Sequence, residues 1–168
     1  LFLKRMVDVC GAAVALVVAS PIALMIAVLI KLTSSGPVFY RQTRVGLDGK
    51  SFSIIKIRTM RMDAEEKTGP VWAEAHDPRR TLIGTFLRRT SLDELPQFWN
   101  VLKGEMSIVG PRPERPEFIE KFRAQIPQYN LRHKMKAGIT GWAQINGLRG
   151  NTSWEKRLAY DMYYIEHW

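Results

Sequence analysis

From Val9 to Ile30 the chain reads VCGAAVALVVASPIALMIAVLI without one charged residue. As a single straight helix this run would be about 33 Å long, close to the roughly 30 Å of bilayer hydrocarbon. A spanning helix is the first reading and a signal peptide the second. Two observations oppose both. Pro21 falls near the middle, where a proline costs about 3 kcal/mol in a regular helix and forces a kink. Basic residues flank both ends, Lys4 and Arg5 before and Lys31, Arg41 and Arg44 after, whereas a spanning segment carries them on the cytoplasmic side. A bend at Ser20-Pro21 leaves two halves of about 16 Å each, roughly half a bilayer, with both ends on one face. The Ser20 hydroxyl can then bond a carbonyl freed at the kink, as bare backbone in lipid requires. A re-entrant membrane helix hairpin over residues 1–33 is therefore expected, with a proline-kinked spanning helix as the alternative. No small-residue cleavage signature follows the run.

The remainder, residues 34–168, reads as one catalytic-sized unit, so the whole chain is expected to be a single domain of helix-rich α+β class. PVFYRQTRV and SFSIIKIR flank Gly46–Lys50, whose Asp48-Gly49 pair signals a β-hairpin turn. The glycines of that turn do not have P-loop spacing. Residues 62–80 are polar, broken by Gly69-Pro70 and Asp77-Pro78, and read as a surface loop. Short amphipathic or interfacial helices are expected over residues 81–89, 92–103, 116–126 and from Trp154 toward His167, with a short strand at Ser107–Val109. Trp99, Trp142, Trp154, Tyr160, Tyr163 and Tyr164 are read as mostly core, some at headgroup level. The chain starts at Leu1, not Met, and is read as a catalytic region from a longer protein.

The chemistry concentrates in RRTSLDELPQFWNVLKGEMSIVGPRP, residues 88–113. Ser91 and Glu94 fit a capping box at a helix start, with Asp93 in the first turn. The same start attracts phosphate. Pro111 and Pro113 restrict Arg112 to extended geometry, as suits either a plain turn or a rigidly presented phosphate-binding arginine. Lys56 and Arg58 share one face of the second hairpin strand. Arg157 and Asp161, four apart, read most simply as a helix salt bridge. The net charge of +9, from 25 Lys and Arg against 16 Asp and Glu, implies an anionic partner: nucleic acid, acidic lipid or a phosphorylated substrate. No basic tail or nucleic-acid-binding signature is present, so no nucleic acid is expected. The lone Cys10 excludes an internal disulfide. His76, His133 and His167 lack zinc spacing and read as surface or packing residues.

SLDELPQFWNVLKGEMSIVGPRP at 91–113 and KAGITGWAQINGLRG at 136–150, with FSIIKIRTM at 52–60 and Ser20-Pro21, resemble the bacterial sugar transferases, the polyprenyl-phosphate phosphoglycosyl transferases with one re-entrant helix. The resemblance covers nearly the whole chain; Ala137 departs from it, standing where many relatives have Pro. It implies transfer of a hexose-1-phosphate from a UDP-sugar to undecaprenyl (polyprenyl) phosphate with release of UMP, at the cytoplasmic face of a bacterial inner membrane. This is the first membrane step of exopolysaccharide, capsule or O-antigen assembly. Asp93 would be the nucleophile, forming an aspartyl phosphosugar, and Glu94 a metal ligand, with Asp93 beside it. Arg112 and Arg88 would bind phosphate; Lys56, Arg58, Arg149, Arg157 and Asp161 are weaker candidates.

Charge explains why cations are needed. Two like charges about 4 Å apart repel by about 4 kcal/mol at an effective dielectric near 20. A hard divalent ion, Mg²⁺, is the expected cofactor. The GITGWAQINGLRG segment is more like family members handling glucose or galactose. The expected partners are thus UDP-glucose or UDP-galactose, polyprenyl phosphate and the lipid bilayer. A homo-oligomer is allowed but not required. The rivals are a membrane-tethered basic module that binds nucleic acid or anionic lipid without catalysis, and a phosphohydrolase of lipid-linked diphosphates.

Overall fold

The computed structural model describes residues 2–66, 69, 71, 77–150 and 152–168. It is a helix-rich α+β protein with two small sheets. Helix α1 spans Phe2–Thr33 and is long and apolar enough to cross a membrane. Helical structure continues through Ser20-Pro21, so a change of direction there would occur within one helical element and not at a loop. Pro21 has no N–H to give Val17 O, four residues back. The Ser20 hydroxyl donates to that carbonyl at 2.8 Å, which replaces the missing bond. Along α1 only Asp8, Ala12, Ile26 and Ile30 are buried, while Val14, Val17, Val18, Leu24 and Met25 are exposed. Cys10 is a free, exposed thiol.

The hairpin forms where Asp48-Gly49 predicts it. Strands β1 (Phe39–Val45) and β2 (Ser51–Ile57) pair antiparallel with Arg41 opposite Ile55 and Val45 opposite Ser51. Asp48 and Gly49 both take positive φ, 52° and 75°, which turn residues of this kind tolerate. The expected loop over 62–80 contains turns and a bridge between Met60 and Arg80 in its described part; Pro70 and His76 lie outside the described residues.

Helix α2 (Leu82–Thr90) begins with Thr81 as N-cap, its hydroxyl accepting from Gly84 N at 2.9 Å. Gly84 lets α2 sit on the backbone just past β2: a Cβ there would lie 1.9 Å from Thr59 O. The expected single helix over 92–103, capped by Ser91, is not formed. Ser91 instead ends α2 in the left-handed region at φ 58° and makes no side-chain cap bond. An N-cap needs extended backbone, so the capping box is lost. A 3₁₀ turn over Leu92–Glu94 follows, and α3 (Gln97–Lys103) starts after Pro96 and ends at Gly104.

Strand β3 (Ser107–Val109) pairs parallel with β4 (Gly138–Thr140), a strand the sequence pattern does not announce. Helix α4 (Pro116–Gln125) and helix α6 (Trp154–His167) fall where expected, and a short α5 spans Trp142–Ile145.

Three apolar clusters hold these elements. Ala12 joins Ile54, Val101 and Met106; Ile26 and Ile30 join Ile57 and Leu87; Val45, Ile119, Phe122, Ile126 and Tyr129 form the third, against which Trp154 packs. Both ends of α1 thus pack on the same body. The aromatic residues are less buried than expected, since Trp99, Trp142, Tyr160, Tyr163 and Trp168 are exposed.

Candidate active site

The residues at the join of α2 and α3 meet the hairpin and the Pro-Arg-Pro segment at one point. Asp93 and Glu94 stand on the 3₁₀ turn, Lys56 on β2, and Arg112 just beyond β3. Lys56 Nζ donates to Glu94 Oε1 at 2.7 Å, and Arg112 Nη2 donates to the same oxygen at 2.6 Å. Arg112 Nη1 is 3.4 Å from Oε2. Burial alone would raise the Glu94 pKa, but Arg112 and Lys56 outweigh it and hold the carboxyl well below the usual carboxylate range. Lys56 is itself pushed down by burial, against the pull of Glu94.

Asp93 has the opposite surroundings. It is buried, and its side chain accepts no hydrogen bond among the described residues. Burial pushes its carboxyl up, with Glu94 adding to the rise and Lys56, Arg88 and Arg112 opposing it. One carboxylate of the pair is therefore tied and firmly ionised, while its neighbour is uncommitted and more basic. Among the described residues Arg88, from the last turn of α2, donates through Nε to Thr59 Oγ1 at 2.9 Å and leaves its two terminal nitrogens available. Arg112 keeps about a third of its side chain exposed (34%). This arrangement offers a nucleophile and several anion-binding groups together.

The donor set also bears on a cation. Mg²⁺ in phosphate-handling sites commonly uses one or two carboxylates plus substrate oxygens and water. Asp93 and Glu94 fit such a half-site, since Glu94 Oε2 is only loosely held and Asp93 is unbound. No cluster of three or more His, Cys, Asp or Glu is found among the described residues. The residues would therefore need substrate oxygens to complete a coordination shell.

Of the weaker candidates, Lys56 is brought into the site, and the other four are not gathered here. Arg58 is buried and donates to Ser35 O and to Ser34 Oγ, bracing the turn after α1. Arg149 is exposed on the loop after α5. Arg157 and Asp161 do not form the simple i, i+4 salt bridge. Arg157 reaches Glu114 at 3.4 Å, Gly150 O at 2.7 Å and Thr152 Oγ1, over the face of Trp154. Asp161 pairs with Arg132 at 2.8 Å. Each turns to a different element because buried charges take the partner that satisfies them inside the fold.

Three contributors escape sequence reading: Glu114, Arg132 and Asp8. Asp8 is buried in α1 and accepts from Ser107 Oγ and Ile108 N, fixing β3. A carboxylate at the margin of so apolar a run was the available signal. His133 is buried edge-on to Tyr129, and burial beside Arg132 and Arg123 lowers its pKa to about 4. His167 is exposed and stacks on Tyr163. Both therefore pack, as expected.

Known proteins resemble the chain along its full length. The family model described as bacterial sugar transferase matches residues 1–168. A UDP-glucose:undecaprenyl-phosphate glucose-1-phosphate transferase from Escherichia coli K12 is 52% identical over 170 residues, covering 99% of this chain and 36% of that protein. A UDP-N-acetylgalactosamine-undecaprenyl-phosphate N-acetylgalactosaminephosphotransferase from Aeromonas hydrophila is 43% identical over 168 residues, 99% of the chain and 40% of its own length. The exopolysaccharide production protein PSS of Rhizobium leguminosarum bv. phaseoli is 44% identical over 172 residues, 98% of the chain and 86% of its length. The chain thus spans little more than a third of several curated relatives. On the match over every residue, this chain belongs to the bacterial sugar transferase family.

Proposed function

We propose that the chain transfers hexose-1-phosphate from a UDP-sugar to undecaprenyl phosphate, releasing UMP, through a covalent intermediate on Asp93. The observation that carries this reading is the split character of the dyad: Asp93 buried and uncommitted, Glu94 ionised between Lys56 and Arg112. A more basic carboxylate is a better nucleophile, and aspartyl phosphates are chemically accessible intermediates.

Asp93 attacks the sugar-bearing phosphorus of the donor. The new bond joins its carboxylate oxygen to phosphorus, and the bond from that phosphorus to the bridging oxygen breaks. UMP leaves with that oxygen and the electron pair. A phosphate oxygen of the lipid then attacks the same phosphorus, frees Asp93 and yields the lipid-linked diphosphosugar. Arg112 and Arg88 hold the donor phosphates and offset their charge. Lys56 keeps Glu94 ionised. Mg²⁺, held by Glu94 with Asp93 adjacent, would neutralise charge on the diphosphate.

Membrane placement follows the same logic. The lipid acceptor lies at the bilayer and the nucleotide sugar in water, so the site must sit at the boundary. A re-entrant α1 would hold it there from the cytoplasmic side of the inner membrane. That topology is supported by Pro21, by the Ser20 bond to Val17 O, by both ends of α1 packing on one body, and by basic residues at both flanks. Exposed Trp99, Trp142, Tyr163 and Trp168 suit the headgroup level. Glucose is the favoured sugar, in keeping with the glucose-1-phosphate transferases among the relatives. The product would enter exopolysaccharide, capsule or O-antigen assembly.

The test is UMP release in nanodiscs over a panel of UDP-sugars, with and without undecaprenyl phosphate and Mg²⁺. Release with UDP-glucose that needs Mg²⁺ is expected. Salt-sensitive lipid or nucleic-acid binding without turnover of any donor would overturn the proposal.

A further inference from the structure

Four successive carbonyls in the segment carrying Arg112 are held from outside it. Gly138 N donates to Pro111 O at 2.9 Å, and Val45 N to Glu114 O at 3.0 Å. Arg44 Nη1 donates to Pro113 O at 3.2 Å, and Arg132 Nη2 to Arg112 O at 2.9 Å. The last bond fixes the residue whose guanidinium grips Glu94. Arg132 Nη2 also donates to Asp161 Oδ2 at 2.8 Å, while Nη1 donates to Tyr129 Oη at 3.0 Å. Both members of the Arg132–Asp161 pair are 2% exposed.

Packing alone is a weak reason for such a pair. Removing two charges from water is costly, and an apolar pair of the same volume is often as stable or more so. An apolar pair cannot, however, donate to Arg112 O. Asp161 orients the Arg132 fork so that one nitrogen serves the carboxylate and that carbonyl together. The bond at Arg112 O acts at the root of the Arg112 side chain, and geometric errors near a reacting centre of about 1 Å can cost about 100-fold in rate.

We propose that Arg132, oriented by Asp161, is a positioning residue for Arg112: helix α6 sets the aim of the phosphate-binding guanidinium without touching substrate. This rests on the reading of Arg112 as a phosphate ligand. Asp161 and Arg132 then act only through Arg112, and a double-mutant cycle separates this from a role in stability.

The experiment measures the affinity of the nanodisc-embedded chain for inorganic pyrophosphate by calorimetry, alongside UMP release and thermal melting. Asp161→Asn and Arg132→Lys are each expected to weaken pyrophosphate binding about tenfold, the scale of lost supporting contacts. In an Arg112→Ala background the same changes should alter affinity by less than about twofold, within ordinary additivity error. Losses that multiply with Arg112→Ala would overturn the proposal. So would failure of both single variants to fold, which would assign the pair to stability, or wild-type affinity indifferent to Arg112→Ala. Arg112-dependent binding in a wild type that releases no UMP would instead sink the transferase reading and leave the positioning claim to be read from affinity.

Discussion

At the residue scale the site turns on one carboxylate oxygen, Glu94 Oε1, which takes two cationic donors within 2.7 Å. Those donors are thereby kept from Asp93, whose side chain stays buried with no hydrogen bond among the described residues. The Asp93 pKa is raised chiefly by burial, so the folded chain binds a proton there more readily than the unfolded chain. Its contribution to stability is present at low pH and is lost as pH rises through the raised folded value. Asp93→Asn keeps the position neutral at every pH. That variant is expected to raise the melting temperature near neutral pH while lowering UMP release on the order of 10³-fold or more. Melting curves and single-turnover assays check both signs; a lower melting temperature would show that Asp93 is held by contacts rather than tolerated. The dyad and Arg112 are legible in the chain because they lie within one short stretch. Arg132 is not, because its carboxylate partner is 29 residues away and only folding brings them together.

At the scale of elements, backbone geometry decides where those side chains point. The Ser91-Glu94 spacing satisfies the capping-box pattern, yet the chain uses Ser91 to close the preceding helix and Glu94 to meet Lys56 and Arg112. Pattern reasoning sees one helix at a time. It does not weigh that Ser91, just past the helix expected over 81–89, is taken by that helix as its left-handed C-cap. Strand β4 is hidden for a similar reason: three residues carry no periodicity, and their pairing with β3 depends on glycine. A Cβ on Gly138 would lie 2.1 Å from Gly110 N. The same closeness at Gly84 makes α2 sensitive to one methyl group. Gly84→Ala must push α2 off Thr59 O, at an expected cost of about 1–3 kcal/mol. Because Arg88 bonds Thr59 and Asp93 follows α2, turnover should fall along with stability. A chemical denaturation series with parallel UMP assays reads both, and unchanged stability would mean that the helix docks more loosely than its contacts imply.

For the molecule as a whole, α1 is long and apolar enough to cross a bilayer, and the +9 charge of the chain favours anionic partners. The uncharged run and its Ser20-Pro21 pair are legible without a fold, since hydrocarbon thickness alone limits what such a run can do. The embedding of Asp8 against β3 is not, because it needs the partner strand. Replacing the helix breaker tests the topology. Pro21→Ala, with the Ser20 bond to Val17 O then redundant, is expected to straighten α1 into a spanning helix. A cysteine introduced near Phe2 in a Cys10→Ser background would then become reachable from the opposite side of the membrane, and UMP release would fall. Labelling from the original side alone would contradict the assignment of Pro21 as the residue that turns α1 back. The central claim, a direct bond from Asp93 to phosphorus, is tested most directly by mass spectrometry of the chain mixed with UDP-glucose and Mg²⁺ without lipid acceptor. The account predicts a phosphohexose increment that maps to Asp93 and disappears on adding undecaprenyl phosphate. Robust turnover with no increment on that residue would contradict it.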